Sequence, residues 1–158
     1  MKNSLRHLVA AGLAVAVLGA GMTAGTASAD PVKDRKNAMK TMGKANKTIG
    51  EFAKGGGDLT AAVAAAKQIA STAETLPGMF PKGSGDGYGK TTRAKADIWK
   101  DWEKFQASTK ALVVAANNFA NWSQMADAST MKSAAGAIGK SCGGCHKAFR
   151  GPKPKKAM

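Results

Sequence analysis

Histidine and cysteine are scarce: the 158-residue chain has two of each. One of the histidines, His7, falls in an N-terminal leader, which leaves His146 as the only histidine of the mature protein. A Ser/His/Asp catalytic set is therefore absent unless His146 serves it, and His146 has another role below. The glycine runs lack the Lys-Ser/Thr pair of a phosphate-binding loop. No segment alternates apolar and polar residues with period two, so no strand is predicted. Aromatics are few, and beyond the leader no apolar run reaches the roughly 20 residues that a membrane-spanning helix needs. Enzyme activity in the usual sense is not indicated.

Acidic residues are also under-represented, 10 against 24 Lys and Arg, for a formal net charge of +14. Lys2 and Arg6 precede an apolar stretch from Leu8 to Ala20, and Ala27-Ser28-Ala29 offers the small residues that a signal peptidase reads. Residues 1–29 are thus predicted to be a cleaved secretory signal, with cleavage after Ala29 and a periplasmic product. Residues 30–158 form the mature domain, and loss of Lys2 and Arg6 takes its charge to +12. Export argues against nucleic acid as a partner, and the missing spans argue against stable membrane insertion. The remaining basic surface suits steering toward acidic redox partner proteins.

Four amphipathic segments fill the mature chain. Asp30 and Pro31 suit the start of a helix running to about Lys54. Its apolar positions Val32, Met39, Met42, Ile49 and Ala53 recur at steps of three or four, with Arg35 and Asn46 in the same register. Gly55-Gly56-Gly57 ends it, and Asp58 caps a second helix to about Thr75. A loop rich in Gly and Pro covers Pro77 to Lys90. A third helix is predicted from about Lys95 to Trp122, with Trp99, Trp102, Phe105, Leu112 and Phe119 on its apolar face. A fourth runs from about Ser129 to Arg150. Four helices with short connections read as an all-α, antiparallel four-helix bundle. Helices this rich in Ala leave room at one end for a cofactor.

The remaining cysteines and histidine fall in five residues, Cys142-Gly143-Gly144-Cys145-His146. C-x-x-C-H is the arrangement of a c-type haem attachment site. Residues three or four apart share a helix face. Cys142 and Cys145 are thereby placed to bond one porphyrin through thioethers, with His146 as proximal iron ligand. The competing readings are weaker. A redox dithiol would sit at a helix N-terminus, where its pKa falls. Zinc needs about four ligands. Two cysteines at i and i+3 of a helix are poorly placed for a disulfide.

With this motif at the C-terminus of a four-helix pattern, the chain resembles the class II cytochromes c, the cytochrome c′ family. The resemblance rests on Cys142 to His146 followed by Lys147-Ala148-Phe149-Arg150, on Leu76-Pro77, on the glycine loop with Ile98-Trp99 after it, and on Arg35-Lys36-Asn37-Ala38-Met39-Lys40. It implies one covalent haem c, a propionate partner in Arg35 and a haem contact at Trp99. It also implies a homodimer, since bundles of this family often pair through their first two helices. The family has a low-spin branch, in which a Met of the first helix is the sixth iron ligand and the protein carries electrons. It also has a high-spin branch, in which the iron is five-coordinate and binds NO or CO at an open distal site. Met39 falls at the matching distal position, and the run from Arg35 to Lys40 looks more like the low-spin branch. The expectation is therefore a periplasmic electron carrier with iron held by His146 and Met39. The alternative is a gas-binding five-coordinate protein, with Met39 as ordinary core packing and Met42 as a further apolar residue one turn on.

Overall fold

The computed structural model describes residues 30–85, 88 and 91–153; the leader, residues 1–29, lies outside them. The order is α1 (Pro31–Ala53), α2 (Leu59–Thr75), a 3-10 turn (Leu76–Met79), α3 (Asp97–Lys100), α4 (Trp102–Trp122) and α5 (Ala128–Phe149). The four long helices form the bundle. α2 packs on α1 and α4, α4 on α5, and α5 returns to α1. Among the described residues the only β pairing is a bridge between Ala94 and Arg150.

Aspartates start the long helices. The carboxylates of Asp30, Asp58 and Asp127 accept hydrogen bonds from the N–H groups of Lys33 (3.0 Å), Ala61 (2.7 Å) and Thr130 (2.8 Å). Each satisfies a donor that the first helical turn cannot. Gly55 ends α1 with φ of +85°, a conformation that L side chains rarely adopt.

The third helix differs from expectation. It is broken at Asp101, whose backbone (φ −126°, ψ 61°) leaves the helical region. Its carboxylate accepts from the N–H of Lys104 at 3.4 Å and starts α4 afresh. Asp favours caps over helix interiors because its short side chain bonds to nearby backbone groups. The segment before α3 is not helical either. Residues 92–95 lie along the end of α5: Lys95 N–H donates to the Phe149 carbonyl (3.0 Å) and Gly151 N–H to the Arg93 carbonyl (2.7 Å). Hydrophobic periodicity does not register a one-residue break that keeps the apolar face aligned.

Two clusters make up the core. The larger is rich in alanine and runs through the bundle, with Ile49, Ile69, Leu112, Phe119, Met131 and Ile138 at its centre. The smaller is aromatic: Phe80, Ile98, Phe105 and Phe149, flanked by Trp99 and Trp102. On α1 the buried stripe is Val32, Arg35, Ala38, Met42, Ala45 and Ile49, while Met39 and Asn46 are half-buried at its edge. The helix is rotated so that small alanines face its neighbours, which turns Met39 toward the end of the bundle where space remains. Phe119 is fully buried and meets Phe52 edge to face, with ring centroids 5.9 Å apart. Phe119→Ala is expected to destabilise the protein by about 3–5 kcal/mol, read as a lower urea midpoint with an unchanged denaturant slope.

Candidate haem site

The C-terminal half of α5 carries Cys142, Cys145 and His146, all half-buried. Cys142 packs against the alanine-rich core, and Cys145 against the aromatic cluster. The two sulfurs form no disulfide with each other. Burial pushes each thiol above its ordinary pKa, and for Cys145 the neighbouring Cys142 adds to the effect. A redox dithiol needs the opposite shift. Burial also lowers the pKa of His146, with smaller contributions from the charges of Arg150 and Arg93. The imidazole is therefore held neutral, which is the form that binds metal. Among the described residues no group of three or more His, Cys, Asp and Glu could hold a metal ion.

His146 opens onto a cleft of about 480 Å³ with mainly apolar walls. α5 supplies Cys145, His146 and Phe149; α1 supplies Arg35, Met39 and Gly43; Thr92, Ala94 and Ile98 close a third side. Lys36, Lys40, Arg93 and Arg150 also border it, and among the described residues no carboxylate does. Met39 and His146, expected to meet at one site, thus reach the same cleft from different helices. Met39 also packs against the alanine-rich core.

Arg35 lies in the cleft wall with 4% of its surface exposed. Its guanidinium donates to the Ser84 hydroxyl (2.9 Å), the Ser84 carbonyl and the Thr92 hydroxyl (2.8 Å), and stands 4.9 Å from the centre of the Phe80 ring. Burial lowers its pKa, and Asp30 and Tyr88 oppose that in part. Trp99 does not line the cleft. Its indole N–H donates to the carbonyls of Phe80 (3.0 Å) and Pro81 (3.1 Å). Its ring lies flush on Gly85, where an added Cβ would come within 2.9 Å of it. Trp99 therefore fastens the glycine loop behind the cleft.

Sequence reasoning did not find Ser84, Thr92 or Arg93, and it gave Arg150 no place at the cleft. Ser84 and Thr92 are 49 and 57 residues from Arg35, so no local spacing marks the partnership. Arg93 is similar: its side chain donates to the Gly151 carbonyl at 2.8 Å, 58 residues away.

Two thiols and a neutral imidazole on one stretch of helix, an apolar cleft and a buried cation in its wall fit a porphyrin with acidic side chains. The fold and these residues define a single-haem c-type cytochrome. The family model described as Cytochrome C' matches residues 30–150. The cytochrome c′ of Pararhodospirillum photometricum is 37% identical over 120 residues, covering 75% of this chain and 94% of its own. The cytochrome c-556 of Rhodopseudomonas palustris is 33% identical over 151 residues, covering 92% of this chain and 97% of its own. The solved structure of cytochrome c′ from Rhodopseudomonas palustris matches with a TM-score of 0.71 at 31% identity, covering 80% of this chain and all of its own. The chain belongs to the cytochrome c′ family, whose members bind one covalent c-type haem.

A chain with both Cys142→Ser and Cys145→Ser is expected to lose covalent haem when exported with the haem-attachment machinery present. The wild type should keep its Soret absorbance and the added mass of haem after acid–acetone extraction. The double variant should lose both.

Proposed function

We propose that the chain is an exported single-haem cytochrome whose iron is held by His146 and keeps its other face for a small gas, NO or CO. Likeness to cytochromes c′ over nearly the whole mature chain carries this reading, the strongest identity cited above being to a cytochrome c′. Its resemblance to the high-spin branch then outweighs the expectation of an electron carrier that was drawn from Arg35 and Met39. Haem, when bound, supplies an iron that takes axial ligands and exchanges single electrons.

The chain's own residues do the rest. His146, kept neutral by burial, offers a ring nitrogen to the metal. Ile98, Phe149 and Ala94 keep the cleft apolar, which limits water access. Met39 fills space between the cleft and the core, the usual role of an unbranched, polarizable side chain. Residues 1–29 act as the secretory leader, cleaved after Ala29, and the product works in the periplasm. The basic border of the cleft suits acidic redox partners, and the chain pairs with a second copy of itself.

One observation favours a second reading. The Met39 side chain lines the cleft that His146 enters, as a sixth ligand would have to. In that case the protein carries electrons and excludes gases. Visible spectra with CO separate the two. The gas-binding reading expects a high-spin spectrum, ready CO binding by the reduced protein at neutral pH, and little change of spin state in Met39→Ala. A low-spin spectrum without CO binding, turned high-spin by Met39→Ala, would establish Met39 as the ligand instead.

A further inference from the structure

We infer that Ser84 and Thr92 are positioning residues for Arg35 and thereby set the reduction potential of the haem. One hydroxyl comes from within the glycine-rich loop and the other from just after it, and together they hold the guanidinium in the cleft wall. The inference rests on a haem standing in that cleft.

The hydrogen bonding is specific. Ser84 is fully buried, and its hydroxyl donates to the Pro81 carbonyl at 2.8 Å. That fixes the rotor and aims a lone pair at Arg35, which donates to it at 2.9 Å. The Thr92 oxygen accepts from Arg35 at 2.8 Å and from its own chain, the Ala94 N–H, at 3.2 Å. Both of its lone pairs are then taken. Among the described side chains no buried nitrogen or oxygen lacks a partner, so this set is complete.

What the set leaves over matters more. A guanidinium has five N–H donors, and three are held by the loop. All three acceptors are neutral oxygens. Among the described residues these loop acceptors solvate the charge of Arg35 without cancelling it, Asp30 and Tyr88 act on it only from a distance, and two donors remain. A cation held in a wall of low polarity acts on a nearby redox centre far more strongly than one in water. It favours the reduced iron, which carries one positive charge less. Thr92 and Ser84 fix where that charge stands. If they served only to staple the loop to α1, their loss would loosen the loop without moving the potential.

The test uses the full-length exported holoprotein. Thr92→Val keeps the shape and removes the acceptor, Thr92→Ser keeps the acceptor, and Ser84→Ala and Arg35→Gln complete the series. Spectroelectrochemical titration should show the midpoint potential shifted downward in Thr92→Val and Ser84→Ala, at least as far in Arg35→Gln, and at the wild-type value in Thr92→Ser. In parallel, the Arg35 Nη–H resonances, followed by nitrogen-15 NMR, should be protected from solvent exchange in the wild type and Thr92→Ser and exposed in Thr92→Val. An unchanged potential in Arg35→Gln, or equal shifts in Thr92→Val and Thr92→Ser, would overturn the inference. Protein lacking a Soret band would instead refute the haem reading on which it rests.

Discussion

A buried positive charge must find acceptors, and the cleft end of the bundle is arranged around that need. The α1 stripe that supplies alanines to the core also buries Arg35 in the cleft wall. Among the described residues no carboxylate hydrogen-bonds to it; the chain loops back twice to bring hydroxyl and carbonyl oxygens instead. Burying a cation without such partners would cost several kcal/mol. The loop from Phe80 to Thr92 is thereby tied to the first helix. Trp99, bonded to the carbonyls of Phe80 and Pro81, ties the same loop to α3. Phe80 lies between the two fasteners, touching Trp99, Phe105 and the guanidinium. One electrostatic requirement thus organises the aromatic cluster and the cleft together.

The second fastening is at the C-terminal end of α5. Residues 92–95 pair with 149–151, and the Lys95 side chain donates to the carbonyls of Lys147 (3.3 Å) and Ala148 (3.2 Å). These are among the carbonyls that a helix C-terminus leaves without partners. Arg93 adds bonds to the Gly151 and Pro152 carbonyls. The last turn of α5, which carries His146, is therefore anchored from outside the bundle. Glycines at 143 and 144 weaken a helix interior, and this anchoring offsets some of that loss.

The long helices were legible in the sequence because their signals are local: Asp30 and Asp58 at two of the starts, Gly55 at one end, and apolar residues recurring every three or four positions. The break at Asp101 was not, since Ile98, Trp99, Trp102 and Phe105 keep their apolar register across it. The motif from Cys142 to His146 was legible for the same reason as the caps. The wall opposite was legible only in part. Arg35 and Met39 stand one turn apart and point the same way, but the rest of the wall comes from Ser84, Thr92 and Arg93. Long-range polar contacts leave no periodic trace, and a serine in a glycine loop reads as solvent-facing until the fold buries it.

The state of the two thiols has a consequence for assembly. Three residues apart on a formed helix, Cys142 and Cys145 are poorly placed to bond each other. Burial pushes both thiols above their ordinary pKa, and thiol–disulfide exchange proceeds through the thiolate. Before haem is attached, a formed α5 therefore disfavours a disulfide between them. The window in which these sulfurs are open to a wrong partner belongs to the unfolded chain, before α5 forms. Order of maturation, folding against oxidation, is thus written into the helix that holds the motif.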